Sequence, residues 1–567
     1  MRKMIDLHMH IIPDVDDGAE SLKMSKQMLQ MAIEQGVEVV FATSHSYAYR
    51  TDTSYTRGQY RKLKKLIQDE HLPIQLYEGC EVFCDIRCID KILEGLETGR
   101  IPSLNGTRYV LIELFNGLGN RWMFYLNQFL EKNWIPVIAH AERVEDLSID
   151  SIREMKEAGC LIQVNAYSVA EEKKESTKLR ALELLEHKLV DFIGSDAHRM
   201  DHRPPAVEKG IEYLYANFEE SYVDDILYNN VKNLLLEREE GSEQSESNPW
   251  LDGIMGVVVG DALGMPVQFL KREEVQSAPI FTMDGFGTFD LPPGAWSDDS
   301  SLTLATLNSI VEQGKIDCDD IMERFVDWYD NGAYTPYGFS FDIGATCTEA
   351  ICRYGNPYGY QDCGCSDEYS NGNGSLMRIM PACLFVYEQV KNGELTEVEG
   401  LKLIHDVSAL THAHLRSKIA CGFYYFMVKA ILDGAGDLSS KLQKGVGDAV
   451  RFYNRDCENL VQMAYYGRLF HLDEFAKTPE DKIKSSGYVV DSLEAAVWSL
   501  ITTESLEEAL LKAVNLGGDT DTIGAIAGGL AGLHYGYENI PRDWREKIVK
   551  KDKIVALCGL ADAKIGV

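Results

Sequence analysis

The stretch "EREEGSEQSESNP", residues 237–249, limits what this chain can fold into more than any other. It is acidic and serine-rich, has almost no apolar residue and ends in proline, so it cannot bury a core and reads as a linker. A chain of 567 residues is also too long for one ordinary core and fits two to four domains at about 150 residues each. The linker therefore predicts one domain over residues 1–236 and another over 250–567. Neither region contains an internal repeat or a further low-complexity segment.

Residues 1–236 alternate regularly. Short β-branched runs, "MIDL", "VEVVFAT", "PIQLYEG", "RYVLIEL", "IPVIAH", "CLIQVNA" and "VDFIGSD", are separated by helix-like stretches such as "SLKMSKQMLQMAIEQG" and "ALELLEHK". Seven βα units of this kind predict an α/β fold, a seven-stranded parallel barrel of TIM type with one strand fewer than usual. Such barrels carry their chemistry at the C-terminal ends of the strands. His8 and His10 follow the first run, with Asp17 close behind; His45 follows the second and Glu81 the third. Glu113 ends the fourth, His140 the fifth, and Asp196 and His198 follow the seventh. A lone "HMH" is more often chance than a metal site, and Glu113 alone reads as a buried carboxylate paired with an arginine. Nine such groups on one rim read as a metal centre. Mixed imidazole and carboxylate ligation suits Mn²⁺, Fe²⁺ or Zn²⁺, and nine ligands exceed what one ion uses, so two to three ions are expected. Such a cluster activates water near neutral pH and stabilises in-line displacement at phosphorus.

The motifs "DLHMH", "DVDDG", "TSH", "GCEVF", "LIEL", "IAHAER" and "GSDAH" resemble, in order, those of the polymerase and histidinol phosphatase (PHP) superfamily, particularly its bacterial manganese-dependent protein-tyrosine phosphatase branch. The resemblance implies that the nine residues above hold a trinuclear cluster and that Arg143 and Arg203 grip the phosphate through their planar forks. It fixes the reaction, phosphate-ester hydrolysis, better than the substrate.

From Trp250 onward the rhythm changes to long helical patterns, such as "CDDIMERFVDWYDNG" and "DSLEAAVWSLITTESLEEALLKAVNLGG", which predict an all-α domain. Two acidic pairs, Asp298 with Asp299 and Asp519 with Asp521, stand directly before apolar helices. Taken singly, acids in a first helical turn are caps. Their company changes that reading: "GDALG", "WSDDSS", "DIGAT", "NGNGSLMR", "THAHLRS" and "GGDTDTIGAIAGGLAG" resemble the ordered motifs of the ADP-ribosylglycohydrolase family.

That resemblance implies an all-helical hydrolase whose two helix mouths face each other and hold two Mg²⁺ ions through Ser297, Asp298, Asp299, Asp519, Asp521 and Thr522. Hard oxygen donors suit Mg²⁺, or Mn²⁺, on chemical grounds as well. Asp299 and Asp519 would then be catalytic, and Gly372, Asn373, Gly374 and Ser375 would form a polar loop along the ADP-ribose. Asp342, His412, Gly517 and Gly518 are further candidate substrate contacts, with structural roles open for the histidines of "THAH". Gly524, Ala527, Gly528 and Ala531 would let the helix behind Asp519 and Asp521 approach its neighbours closely. Two positions depart from the family. Ser297 replaces a common threonine and keeps the ligand oxygen. Gln268 stands where many members carry a glutamate assigned as general acid/base or gate, so Asp261 or Asp342 takes over, or activated water suffices, or turnover is impaired.

The net charge of −33 argues against nucleic-acid-backbone or anionic-membrane partners without a local basic patch, and "RKLKK" at 61–65 reads as a solvated helix face. No uninterrupted apolar run reaches the ~18 residues of a membrane span, and a strand-like segment follows Met1 directly, so a cytoplasmic address is expected. Thirteen cysteines without paired CxxC spacing fit reduced thiols. Cys80, Cys84 and Cys88 fit one helix face, and Cys363 and Cys365 flank a glycine; structural roles are expected for all five. Together these features predict a bifunctional hydrolase acting on a phosphate ester and on an ADP-ribosylated protein, nucleic acid or small molecule. The alternatives are a helical module that binds ADP-ribose without turnover and directs the phosphatase, and a single pathway enzyme that processes a phosphorylated ADP-ribose metabolite at both sites.

Overall fold

A computed structural model describes residues 3–170, 175–236, 248–355, 358–434 and 436–566. The chain forms two compact units, Met1–Gly241 and Ser242–Val567. Most of the expected linker, 237–247, lies outside the described residues. Its last two positions are helical starts instead: the Asn248 side chain accepts from the Leu251 N–H, and Pro249 occupies the first turn.

Among its described residues the N-terminal unit has eight strands: β1 Met4–Met9, β2 Val37–Ala42, β3 Gln75–Glu78, β4 Glu81–Phe83, β5 Tyr109–Glu113, β6 Ile135–Ile138, β7 Leu161–Asn165 and β8 Phe192–Gly194. All pairings are parallel, in a three-stranded sheet β1-β2-β3 and a five-stranded sheet β4-β5-β6-β7-β8. Seven strands correspond to the seven expected runs. The eighth, β4, arises because the third run breaks at Gly79 and Cys80 and resumes beside β5. Single parallel bridges, Met9 with Ala197 and His45 with Glu81, join the sheet ends where ligand-type side chains gather.

The strands read as apolar runs because both of their faces are buried. Ile5, Leu7, Phe41, Leu111 and Val137 pack into one cluster, while Val40, Val110, Ile112 and Ile138, one residue out of phase, pack into another with the helices. Alternation along each strand is thus between two apolar surroundings, not between core and water. Cys80 and Cys84 flank β4 and Cys88 precedes the helix Ile89–Glu97, so the three do not share a helix face.

The C-terminal unit is helical, and isolated bridges are its only strand pairings among the described residues. At its centre the helix Pro249–Gly264 lies against Thr520–Tyr535 along a glycine seam. A Cβ on Gly260 would sit 2.0 Å from the Gly524 carbonyl oxygen, and one on Gly528 would sit 2.1 Å from that of Gly256. Of the small residues expected to permit close approach, Gly524 and Gly528 face this partner; Ala527 and Ala531 are buried elsewhere in the core. Among the described residues one helix, Pro249–Val267, is long and apolar enough by length and composition to cross a membrane, although Asp252 and Asp261 interrupt its apolar run. Nearly all of it is buried within this unit, as befits a central core helix.

Candidate functional site

In the N-terminal unit all nine expected ligand residues converge. Three sets of their ligand atoms lie within 4.8 Å of one another: His10, Asp17, His45 and His198; His8, His10 and Glu81; and His45, Glu81 and Glu113. His140 reaches Glu81 at 2.8 Å and Glu113 at 3.8 Å, and Asp196 lies 3.5 Å from His8 Nε2. Burial alone would push the Glu81 carboxyl up, but His8, His10, His140 and His45 outweigh it and hold Glu81 well below the usual carboxylate range. His198 is pushed down to about 4 by burial and then by the charge of His10. His140 and Asp196 occupy left-handed backbone, at φ 33° and 51°. Such strain in non-glycine residues clusters at functional sites.

Residues outside the expected set orient the imidazoles. His8 Nδ1 lies 3.2 Å from Gln163 Oε1, an acceptor only, so Nδ1 donates and Nε2 is the nitrogen left to bind a cation in place of its proton. His10 Nδ1 does the same with Asp16 Oδ2 at 2.9 Å, and His198 Nδ1 with the Asp196 carbonyl oxygen at 3.0 Å. Outer partners of this kind are what metal-ligating histidines require. The signals were present in the sequence: Asp16 adjoins Asp17, and Gln163 with Asn165 are polar residues inside the apolar run of β7.

Arg143 and Arg203 both donate to Asp196 Oδ2, at 3.0 and 2.7 Å, which sets them at the rim of the cluster. Both contacts use Nη1, and both arginines line a cavity of about 940 Å³ together with Tyr167.

In the C-terminal unit the two helix mouths meet. Ser297 caps the helix Asp298–Gln313, and its hydroxyl contacts Asp299 Oδ2 at 3.2 Å. Thr522, in the first turn of Thr520–Tyr535, donates to the same oxygen at 3.3 Å. The other oxygen of Asp299 and Oδ2 of Asp521 are buried without a hydrogen-bond partner. Burial, and then the neighbouring acids, push Asp298, Asp299 and Asp521 well above the usual carboxylate range. Ordinary caps use their oxygens on backbone N–H groups; two buried orphan oxygens among repelling acids call for a cation.

A cleft of about 320 Å³ opens beside these acids, lined by Asp298, Asp519, Thr522, Gln268, Asp342, Gly372, Asn373, Gly374 and His412 among others. Asn373 donates to Asp519 Oδ2 at 2.6 Å and to Ser492 Oγ at 2.9 Å, which pins the polar loop to the acidic mouth.

A family model described as "ADP-ribosylglycohydrolase" matches residues 247–566. The chain belongs to the ADP-ribosylglycohydrolase family. A second model, "Capsular polysaccharide synthesis, CpsB/CapC", matches residues 4–236. The ADP-ribosylarginine hydrolase Tri1 of Serratia proteamaculans is 30% identical over 331 residues, 55% of this chain and 83% of that protein. The ADP-ribosyl-[dinitrogen reductase] glycohydrolase of Rhodospirillum rubrum is 30% identical over 55% of this chain and 96% of its own length. The tyrosine-protein phosphatase CpsB of Streptococcus pneumoniae is 31% identical over 41% of this chain and 99% of its own, so the N-terminal unit belongs to the CpsB/CapC family. Both units are members of hydrolase families.

Within the ADP-ribosylglycohydrolase unit, not every expected substrate contact faces the cleft. Ser375 is fully buried, accepting from Ser408 at 2.9 Å and lying 3.6 Å from Cys421 Sγ. Gly517 and Gly518, at φ 72° and 77°, form a turn whose Gly518 backbone pairs with Phe269 and Leu270, so their part is to place Asp519 and Gln268. Asp261 is not available as a substitute proton acceptor. It takes the N–H groups of Ser297 and Ser300 and the Ser300 hydroxyl, tying down the first turn of the helix Asp298–Gln313. Asp342 lines the cleft, and Gln268 turns its amide toward that carboxyl.

Proposed function

We propose that the C-terminal unit hydrolyses the glycosidic bond between ADP-ribose and a modified arginine side chain, and that the N-terminal unit hydrolyses phosphate esters, tyrosine phosphate first among them. The observation that carries the first activity is the meeting of Asp298, Asp299, Asp519, Asp521 and Thr522, with two buried carboxylate oxygens lacking a donor. These residues and Ser297 fit two Mg²⁺ or Mn²⁺ ions, which when bound supply charge stabilisation and orient the ribose hydroxyls. Asn373, Gly372, Gly374 and His412 hold the ADP-ribosyl group along the cleft. Asp342 stands in for the missing glutamate as proton acceptor, because Asp261 is fully engaged by its own cap, while burial pushes the Asp342 carboxyl up, against the Gln268 amide, and so makes it the better base.

In the N-terminal unit the two parallel sheets read as segments of one irregular barrel. The donor set of five histidines and four carboxylates fits two or three Mn²⁺, Fe²⁺ or Zn²⁺ ions, which supply an activated water nucleophile. Arg143 and Arg203 orient the phosphate over the cluster. Both activities are tested by incubating the full chain with ADP-ribosylated arginine and serine peptides, ADP-ribosylated nucleic acid, phosphorylated ADP-ribose and phosphotyrosine peptides, and weighing the products. Release of free ADP-ribose from the arginine peptide and of phosphate from phosphotyrosine is expected, the first lost in Asp519→Ala alone. A chain that binds ADP-ribose tightly and releases none from any conjugate would instead be a binding module, the alternative that rests on Gln268.

A further inference from the structure

Arg378, at the end of the "NGNGSLMR" motif, is fully buried and makes no ion pair with a carboxylate among the described residues. Its guanidinium lies over the Phe325 ring at 4.7 Å, and Nη2 donates to the Val407 carbonyl oxygen at 3.2 Å and to Thr411 Oγ1 at 2.9 Å. Burial of an unpaired cation is expensive, so its retention calls for a reason. Thr411 Oγ1 is in turn 2.9 Å from Nδ1 of His412, which lines the cleft.

Proton bookkeeping fixes the direction of this relay. A guanidinium only donates, so the Thr411 oxygen accepts from Arg378. The hydroxyl has one proton to give, and an imidazole nitrogen is a far better acceptor than the nearby Cys347 sulfur. The charge of Arg378 also favours the tautomer whose bare Nδ1 faces it. Burial, and then that same charge, push the His412 ring down to about 3, so it stays neutral. Glycine at 374 leaves room for the ring, since a Cβ there would lie 2.9 Å from its Cε1.

We propose that Arg378 and Thr411 are positioning residues that hold His412 with its proton on Nε2, so that the Gly372–Gly374 wall of the cleft offers a hydrogen-bond donor to an acceptor oxygen of the ADP-ribosyl group. This rests on the cleft being the ADP-ribose site. It gives a cleft otherwise rich in carboxylate acceptors a donor that cannot switch to acceptor.

The relay is tested first without ligand. Long-range ¹H–¹⁵N correlation spectra of the full chain labelled with ¹⁵N-histidine, with the His412 signals assigned from His412→Ala, should show the Nε2–H tautomer. Thr411→Val should lose that fixed tautomer and weaken ADP-ribose binding by about 10-fold, while Thr411→Ser should keep both within about 2-fold. Melting temperatures of the two variants guard against misfolding, and the serine variant carries the test if the valine variant is unstable. An Nδ1–H tautomer in the wild type, or a valine variant with unchanged tautomer and affinity, overturns the relay. The expected tautomer shifts together with unchanged ADP-ribose affinity in His412→Ala would uphold the relay and overturn the ligand contact.

Discussion

Gln268 occupies a position where a carboxylate would face Asp342, and its amide instead stabilises that acid as an anion, against burial, which pushes Asp342 up. Restoring the acid therefore does more than add a proton acceptor. In Gln268→Glu two carboxyls would share one site, and the pair holds a proton to higher pH than Asp342 does alone. With Asp342 as proton acceptor, the acidic limb of the kcat profile for ADP-ribosyl hydrolysis should move up by about one pH unit, with ADP-ribose affinity changed far less. A rate raised tenfold with an unmoved limb would show that Asp342 is not the acceptor. The loop residues separate in the same way. Asn373→Ala should raise the Kd for ADP-ribose by about 10-fold by freeing Asp519, whereas Ser375→Ala, which acts only in the core, should leave Kd within about 2-fold and lower stability by about 1 kcal/mol. The motif "NGNGS" displays these residues side by side; only the turn at Gly374 reveals that the serine faces inward.

At the scale of elements, the glycine seam couples the fold to the site. Gly264 comes so close to the mouth of the helix Thr520–Tyr535 that a Cβ there would lie 2.4 Å from the Asp521 N–H nitrogen. Gly260→Ala would drive a methyl group into the Gly524 backbone, parting the helices that carry Asp261 and Asp521. A loss of about 1–3 kcal/mol in stability is expected, with Mg²⁺-dependent ADP-ribose binding weakened beyond what the fraction unfolded explains. Gly467→Ala, at an open position, supplies the control. The small-residue run of this helix was legible in the sequence, but its partner was not, because Gly256 and Gly260 lie in an apolar helix whose contacts only the fold discloses. Seven strands were legible from β-branched runs buried on both faces. β4 was not, being three residues long and continuous with the preceding run. The nine imidazole and carboxylate groups stood out because they end strands. Gln163, Asp16 and the Arg378 relay act one step further from the chemistry and carry no spacing of their own.

At the scale of the whole chain, each unit has its own core, with no residue shared between the apolar clusters on either side of the acidic segment. His8→Ala with His10→Ala should therefore abolish phosphate-ester hydrolysis and leave ADP-ribose binding intact; persistent phosphatase activity in metal-replete buffer would refute the cluster. The acidic centre of the helical unit makes a further demand on the apo-protein. Asp261 is pushed up to about 6, first by burial, and Asp298, Asp299 and Asp521 are pushed higher than an ordinary carboxyl by burial and mutual repulsion. A carboxyl whose pKa rises on folding binds its proton more tightly in the folded state. Stability then falls as pH climbs from the unfolded carboxylate value, near 4, through the shifted values. Without divalent ions, the melting transition of the helical unit should accordingly sit a few °C lower at pH 7.5 than at pH 5.5. Mg²⁺ competes with protons for the same oxygens, so its stabilising effect should be larger at pH 7.5 than at pH 5.5, reversing the order of the two melting temperatures. Calorimetry with and without EDTA resolves the contribution of each unit, because Asp299→Asn with Asp521→Asn should remove both the pH slope and the Mg²⁺ response from one transition only. If the EDTA-treated unit is as stable at pH 7.5 as at pH 5.5, and Mg²⁺ leaves it unmoved, these acids do not form a cation site.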